Sequence, residues 1–395
     1  MVVYERKLLP EMRRWVGKKS VLVLTGMRQV GKTTLMRMLF SGIKSKNKAF
    51  LDMENPLVRK VFEEQDYDNI WANLKAYGVT KDEKAYVFLD EIQLMPEAVR
   101  AVKYLSDHYD IQFFVTGSSS FYLKNLFPES LAGRKTVFEL FPLNFEEFLL
   151  FKGVKRETPS DFSSKEAGKS LVSFEKSKKF YEEYLEYGGF PKVVLASEPQ
   201  DKKTVLEDIY TSYFEKEVRS LADFKDINRL QDCILLLAKR VGSRLNLSRI
   251  ASEIGVSRET IYAYLSFLQS TYFISLVPPY AKSPDREVSG AKKVYLCDTG
   301  ILNLLSKSSS GSVLENAVFN SLKARDSVAY YQRRSGVEMD FVLKDESIAI
   351  EVKETASERD AKRANEIANE IGLKHGYVVS KSYSEAKGIL CASDI

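Results

Sequence analysis

One stretch near the amino terminus decides the fold of the first part of the chain: Gly26-Met27-Arg28-Gln29-Val30-Gly31-Lys32-Thr33. It lies between the apolar run Val21–Thr25 and a helical segment. A glycine-rich turn between a strand and a helix aims several backbone N–H groups at one point, which suits a nucleotide phosphate. Lys32 would contact the β- and γ-phosphates, and the Thr33 hydroxyl would ligate Mg²⁺. We therefore predict a nucleotide site formed by these eight residues and Thr34.

The first 143 residues have the pattern of an α/β unit with a parallel sheet. Short apolar runs alternate with stretches of helical length, as expected for strands that are buried on both faces. The predicted strands are Val21–Thr25, Ala49–Asp52, Tyr86–Asp90, Phe113–Thr116 and Val137–Leu140.

Two acidic residues, Asp90 and Glu91, end the third of these strands. Open α/β sheets bind their ligands at the carboxyl ends of the strands. Behind the glycine-rich turn, Asp90 would hold Mg²⁺ through water and Glu91 would polarise the attacking water. Taken alone, the same pair would be an ordinary solvated strand end.

The composition excludes several classes of protein. With 44% hydrophobic and 29% charged residues, the chain has the makeup of a soluble globular protein. No apolar run approaches the roughly 18–20 residues that cross a bilayer, and the first residues lack the order of a secretory signal, so we expect a cytoplasmic protein. Cysteines and histidines are few and far apart, so any metal ion should bind to carboxylates. They are Cys233, Cys297, Cys391, His108 and His375.

The pattern along the chain divides it into four predicted domains. The nucleotide-binding core covers residues 1–143, and a helical lid rich in aromatic and acidic residues covers 144–222. Within the lid, residues 152–173 contain few apolar side chains and are predicted to form a solvated loop. A winged helix covers 223–297, and a last α/β domain covers 298–395.

The predicted winged helix contains a helix-turn-helix at Leu247–Leu268, followed by two strands, Tyr272–Val277 and Lys293–Leu296, around a polar loop. Residues 224–297 hold eleven basic against six acidic residues, an excess equal to the net charge of +5 of the whole chain. This bias is compatible with a DNA-binding face and equally with a basic surface that contacts nothing.

If the second helix of this segment reads DNA, a few of its residues would face the groove. They are Ser257, Arg258, Thr260 and Tyr264. The aromatic residues Tyr262, Tyr264 and Phe267 recur at helical spacing, which is also the pattern of core positions.

The last domain contains a predicted cluster of charged residues on a hairpin. Glu351 and Lys353 are two residues apart on a strand and therefore share a face. Asp340 on the neighbouring strand could meet them, and such a cluster can bind Mg²⁺ while the lysine positions water for attack on a phosphate. The alternative is a hairpin whose charges face solvent. The predicted elements are a helix, Val313–Arg325, and strands Ala329–Gln332, Met339–Leu343, Ile348–Lys353 and Tyr377–Val379.

The first 220 residues resemble the AAA+ superfamily, in the branch close to the STAND signalling ATPases. The resemblance rests on the glycine-rich turn, Leu89-Asp90-Glu91, Val115-Thr116-Gly117-Ser118-Ser119 and Leu131-Ala132-Gly133-Arg134. It implies Ser118 as a sensor of the γ-phosphate. It also implies Arg134 as an arginine finger that acts on a neighbouring subunit, and hence a homo-oligomer; the alternative is a surface arginine.

A further element, Tyr187-Gly188-Gly189-Phe190-Pro191, resembles the Gly-x-Pro segment by which the lid of STAND-like proteins touches adenine. The resemblance implies Gly189 and Pro191 as nucleotide-binding residues. A turn that simply ends a helix would have the same sequence.

The last domain resembles the PD-(D/E)XK nuclease core. The resemblance implies that Glu315, Asp340 and Glu351 ligate a metal ion and that Lys353 takes part in catalysis. Glu338-Met339-Asp340 replaces the usual Pro-Asp, which lowers the specificity of the motif. A nuclease-like fold that does not cleave remains an alternative.

These features together predict a multidomain α/β protein. We expect an ATPase that binds ATP or ADP with Mg²⁺, acts on nucleic acid, with DNA as the favoured form, and carries an ATP-gated, metal-dependent nuclease domain. The alternative is a STAND-like nucleotide switch or scaffold with slow turnover and a non-cleaving domain that binds nucleic acid.

Overall fold

The computed structural model describes residues 4–117, 135–219, 226–281, 284–333 and 335–395. The chain forms two compact units. The first ends at Phe141 and also includes Ser270–Tyr272, whereas the second comprises Pro142–Gln269 and Phe273–Ile395. Across the described residues, no helix is both long enough and apolar enough to span a bilayer.

The first unit is built on a parallel sheet with the strand order β2-β3-β4-β1-β5. Its described strands are β1 (Val21–Thr25), β2 (Lys48–Asp52), β3 (Ala85–Asp90), β4 (Ile111–Gly117) and β5 (Lys135–Glu139). Its described helices are α1 (Leu8–Arg13), α2 (Lys32–Gly42), α3 (Pro56–Arg59), α4 (Tyr67–Leu74) and α5 (Ala98–His108).

The burial of these strands follows their place in the sheet. Every residue of β1 and β4 is buried, which confirms the predicted central strands. Val87 and Leu89 of β3 belong to a core cluster with Trp71, while Phe88 stacks on Phe114 at 4.2 Å between ring centroids. Strand β5 forms an edge, and Val137 there is 45% exposed. The predicted burial on both faces therefore holds only for the inner strands.

The second unit begins with helices, as the sequence predicted for a lid. Asn144 and Glu147 form a reciprocal capping box that starts the first of them. The helices are α6 (Phe145–Phe151), α7 (Phe162–Ala167), α8 (Leu171–Tyr187), α9 (Pro191–Leu195) and α10 (Pro199–Tyr213), and a π-helical turn, Phe214–Val218, follows.

The prediction of a solvated loop at residues 152–173 is wrong in part: residues 152–161 form no helix or strand, but one helix and the start of another follow. This segment contains α7, and its cations bind the end of the chain: Lys169 Nζ donates to the carbonyl oxygens of Ala386 and Ile389 at 2.7 and 3.0 Å. Arg156 forms an ion pair with Asp394. Charged side chains with long apolar stems can be buried when their ends find acceptors, so a polar composition did not mean a solvated loop.

The middle of the second unit has the order of elements predicted for a winged helix. Three helices, α11 (Ile227–Ala238), α12 (Leu247–Ile254) and α13 (Arg258–Ser270), precede two antiparallel strands, β6 (Ile274–Val277) and β7 (Lys293–Leu296). Between the strands, where a polar loop was predicted, lies α14 (Pro284–Ser289).

The last part of the second unit contains a mixed sheet with the order β12-β11-β10-β9-β8. Strand β9 pairs antiparallel with both neighbours, whereas β10, β11 and β12 are parallel. The elements are α15 (Thr299–Leu305), α16 (Ser310–Leu322), β8 (Val328–Gln332), β9 (Glu338–Leu343), β10 (Ile348–Lys353), α17 (Glu358–Glu370), β11 (His375–Ser380) and β12 (Ile389–Cys391).

A buried carboxylate, Asp298, ties the start of α15 to the end of α8. One oxygen accepts hydrogen bonds from the backbone N–H groups of Gly300 and Ile301, and the other accepts one from Gly189 at 2.7 Å. Burial raises the pKa of Asp298 to about 6, although these bonds oppose the rise. A Cβ on Gly188 would lie 2.0 Å from Asp298 Oδ1, so this contact requires glycine.

We predict that Asp298→Ala strongly destabilises the second unit. It leaves buried N–H donors without an acceptor, at about 1–3 kcal/mol for each such group. The matched control is Asp226→Ala, which removes an exposed N-cap that also accepts from two N–H groups and should cost about 1 kcal/mol. Thermal unfolding followed by circular dichroism measures both. Equal losses for the two variants would contradict the structural role of Asp298.

Candidate nucleotide site and carboxylate cluster

The glycine-rich turn of the first unit has a backbone that side chains would disrupt. Gly26 has φ 149°, and a Cβ there would lie 2.1 Å from the carbonyl oxygen of Leu140. Gly31 has φ 100° and immediately precedes α2, so the turn leads directly into a helix N-terminus. This is the strand–turn–helix arrangement that the sequence predicted for phosphate binding.

Two cations hold the backbone of the turn. Lys32 is buried, and its Nζ donates to the carbonyl oxygens of Gly26 and Met27 at 2.9 and 3.0 Å. Arg6 donates to the carbonyl oxygen of Val30 at 2.8 Å and to that of Phe141 at 2.7 Å. The sequence analysis missed Arg6 because nothing in its local pattern distinguishes it from a surface arginine.

Asp90 lies among hydroxyl groups at the carboxyl end of β3. The Thr116 hydroxyl on β4 donates to Asp90 Oδ1, and the Thr33 hydroxyl also hydrogen-bonds to this carboxylate. Burial raises the pKa of Asp90, while the two hydroxyl groups oppose the rise. The structure thus brings together the two predicted Mg²⁺ residues, and their hard oxygen donors suit a magnesium ion.

Glu91 follows in a left-handed conformation with φ 54°, which turns the chain sharply after the strand. Its backbone N–H donates to the Thr116 hydroxyl at 3.0 Å, and its carboxylate accepts a hydrogen bond from Gln93 Nε2. Gln93 therefore orients the carboxylate that we predicted to polarise water. The sequence analysis did not predict Gln93 as a site residue, because Gln93 lies after the apolar strand whose acidic end indicated the site.

The predicted sensor Ser118 and arginine finger Arg134 lie outside the described residues. Within them, Thr116 is the residue at the end of β4 that reaches Asp90. The sequence did contain a signal for Thr116, since this threonine ends the predicted strand Phe113–Thr116, whose other residues are apolar. That strand pairs with β3, which ends in Asp90.

Gly189 and Pro191 lie in the second unit, at the start of α9. A Cβ on Gly189 would lie 2.1 Å from the carbonyl oxygen of Leu143, so packing within this unit is sufficient to require glycine. Their contact with adenine stays a prediction.

The predicted metal cluster has an unexpected member. Glu315, Glu338 and Asp340 surround the ammonium of Lys293, with Nζ to oxygen distances of 3.5, 2.6 and 3.5 Å. Lys353 instead binds Asp360 at 2.6 Å and lies 3.4 Å from Glu351. Within the described part of the chain, no three histidine, cysteine or acidic side chains are set to share a metal ion. A cation of the protein therefore stands where a metal ion was expected, and this arrangement does not fit a divalent ion.

Of the four residues of the second helix that were predicted to face DNA, Ser257 and Arg258 are exposed, Thr260 is half-buried and Tyr264 is buried. Ser257 caps it through the N–H of Thr260, as predicted. Tyr264 is buried and donates to the carbonyl oxygen of Asp226, whereas Tyr262 is 52% exposed. The 3.6-residue period carries Tyr264 to the core face and Tyr262 to the opposite side. Of the two tyrosines, only Tyr262 is available to a ligand.

Comparisons with known proteins match three parts of the chain to described families. Residues 18–149 match the family described as an AAA domain. Residues 178–312 and 310–389 match two families described as domains of unknown function, DUF8612 and DUF4143.

Relatives and a solved structure extend over most of the chain. An uncharacterized protein of Haemophilus influenzae is 28% identical over 378 residues, 91% of this chain and 90% of its own. One of Methanocaldococcus jannaschii is 29% identical over 392 residues, 93% of this chain and 81% of its own. The structure of a Walker-type ATPase of Pyrococcus abyssi is similar with a TM-score of 0.50 and 12% identity, over 77% of this chain and 96% of that one.

The first unit therefore has the fold of a P-loop nucleotide-binding domain, because it combines a parallel sheet, a phosphate-binding turn and an acidic strand end. More narrowly, residues 18–149 are similar to the family described as an AAA domain.

We predict that Lys32→Ala weakens ATP binding by about tenfold to a hundredfold, because a hydrogen bond to a charged group contributes about 1.5–3 kcal/mol. The matched control is Lys48→Ala. Lys48 Nζ donates to the carbonyl oxygens of Phe40 and Ile43 at the other end of α2, so its loss should leave ATP affinity unchanged. Isothermal titration with ATP and Mg²⁺ measures both. Unchanged affinity in Lys32→Ala would refute the site.

Proposed function

We propose that this protein is a Mg²⁺-dependent ATPase that acts on DNA, with the nucleotide held at the glycine-rich turn and DNA bound by a winged helix at residues 223–297. The four-domain division predicted from the sequence belongs to this proposal. The proposal for ATP rests on the Asp90 cluster, and the proposal for DNA rests on a basic groove in the second unit.

At the nucleotide site, the residues would bind Mg²⁺, bind the phosphates or activate the attacking water. Thr33 and Asp90 would hold Mg²⁺, which supplies positive charge to the β- and γ-phosphates. Lys32 binds the same phosphates, the turn donates its N–H groups, and Glu91 accepts a proton from the attacking water. Gln93 keeps Glu91 in place through its hydrogen bond.

The groove that supports DNA binding is a cavity of about 640 Å³ between α13 and the segment that leads into β7. Among the described residues that line it, three are basic and none is acidic: Arg244, Arg258 and Lys292 provide the charge. Tyr262 lies beside them, and its hydroxyl accepts a hydrogen bond from Arg258 at 3.2 Å. A described lining that holds three cations and no acidic residue suits a phosphate backbone, and the exposed tyrosine adds a surface for sugar or base.

A second candidate function concerns the last domain. The order α16, three strands, α17 and two parallel strands supports the nuclease-like fold proposed from the sequence. Lys293 argues against metal-dependent cleavage in the arrangement described, since it stands among the acids that would bind the ion. We therefore propose a nuclease-like domain that does not cut DNA while Lys293 is in place.

We predict that Arg258→Ala weakens binding to duplex DNA and lowers the slope of log affinity against log salt by about 1, because one phosphate contact is lost. The matched control is Arg229→Ala on α11. Arg229 is paired with Asp226 and Asp232 and does not line the groove, so its loss should change neither quantity.

Fluorescence anisotropy of a labelled duplex at several salt concentrations measures both variants. Equal effects of the two substitutions would contradict the groove as the DNA site. A wild-type affinity that does not respond to salt would contradict DNA binding by these cations altogether.

A further inference from the structure

Lys293 is fixed in position by the strand that carries it. It is the first residue of β7, pairs with Val277 of β6, and also forms a bridge with Arg244. Only 2% of Lys293 is exposed. The strand therefore fixes the Lys293 ammonium at one place in the interior, where it is shielded from solvent.

The same strand is seated on α16, the helix that carries Glu315. The Tyr295 hydroxyl donates to Glu315 Oε1 at 2.6 Å, and its ring stacks on Phe319 at 4.4 Å between centroids. The Asn316 side chain bonds both the N–H and the carbonyl oxygen of Leu296. Lys293 and Tyr295 are two residues apart, so both point from β7 toward the acids.

The charges in this cluster favour a bound cation. Burial alone would lower the pKa of Lys293, but the carboxylates of Glu315, Asp340 and Glu338 raise it. Burial and the Asp340 charge raise the pKa of Glu315 to about 7. A buried ion of either sign is costly without its partners, so ammonium and carboxylates depend on each other.

The lysine of the predicted nuclease motif does not take this place. Lys353 is held by Asp360, which also closes the capping box of α17 with Ser357. One oxygen of Glu351, Oε2, is buried without a hydrogen-bond partner among the described residues. A carboxylate oxygen near Asp340 thus has no hydrogen-bond partner among the described residues, while the cation at the centre of the cluster comes from β7.

We propose that Lys293 occupies the place of a divalent metal ion, so that the cluster of Glu315, Glu338 and Asp340 binds no such ion while β7 is seated on α16. The wing of the predicted winged helix then acts as a built-in block of the nuclease-like site. The inference does not depend on DNA binding by α13, since it concerns only contacts between β7 and the last domain.

The test is Mn²⁺ binding to the 395-residue protein without nucleotide, measured by electron paramagnetic resonance of the free ion. Lys293→Met should gain a Mn²⁺ site at least about tenfold tighter than any in the wild type, and adding Asp340→Asn should remove it. The matched control, Lys307→Met, alters an exposed lysine outside the cluster and should behave as the wild type does.

Stability gives a second readout of the same variants. Lys293→Met should unfold at a lower temperature than the wild type, because three acids lose their shared cation, and Mn²⁺ should restore much of the loss. In the wild type, Mn²⁺ should not raise the unfolding temperature by binding to Asp340. Two outcomes would overturn the proposal: a wild-type Mn²⁺ site that depends on Asp340 and equals that of Lys293→Met, or a folded Lys293→Met with no new site.

Lys293→Gln is a milder variant if the methionine prevents folding, because its amide can still hydrogen-bond to the acids.

Chemical labelling of the wild type offers a further check on the position of Lys293. An amine-specific label read by mass spectrometry should modify exposed Lys307 much faster than Lys293. Labelling of the two at the same rate would show that the ammonium is not held in the cluster, and would also overturn the proposal.

Discussion

A charged side chain that leaves water must find its partners inside the protein, and this constraint governs each site in this structure. Asp90 is buried at the end of β3, where hydroxyl groups of Thr33 and Thr116 surround it. Asp298 is buried where three N–H groups meet it. Lys293 is buried among acids. In each case at least one partner comes from an element that is distant in sequence, so one charge fixes the relative position of two elements.

The nucleotide site and the Lys293 cluster meet this constraint in different ways. At the P-loop, the buried carboxylate is partnered by hydroxyl groups, which are neutral and can share it with a magnesium ion. In the last domain, the carboxylates are partnered by an ammonium, which competes with any other cation. The first arrangement suits nucleotide chemistry, whereas the second agrees with our proposal that Lys293 blocks metal binding by these carboxylates.

The sequence predicted what depends on local pattern. The glycine-rich turn, the acids that end β3, and the strands Val21–Thr25 and Ile348–Lys353 have the predicted positions. Local pattern could not predict Lys293 as a partner of Glu315 and Asp340, which lie 22 and 47 residues further along the chain. The hydrophobic period and the composition of a segment indicate which face of a helix or strand a residue occupies. They do not indicate which residues of another element pack against that face. Arg6 and the cations of residues 152–173 were missed for the same reason.

The central claim is that the AAA domain hydrolyses ATP with Glu91 as the residue that activates water. Its most direct test is the steady-state rate of ATP hydrolysis with Mg²⁺ by the wild type and by Glu91→Gln. The account predicts turnover by the wild type and, in the variant, a rate lower by about a hundredfold or more with ATP affinity kept, since a general base contributes about 10²–10⁴-fold. A variant that hydrolyses ATP as fast as the wild type would contradict the account.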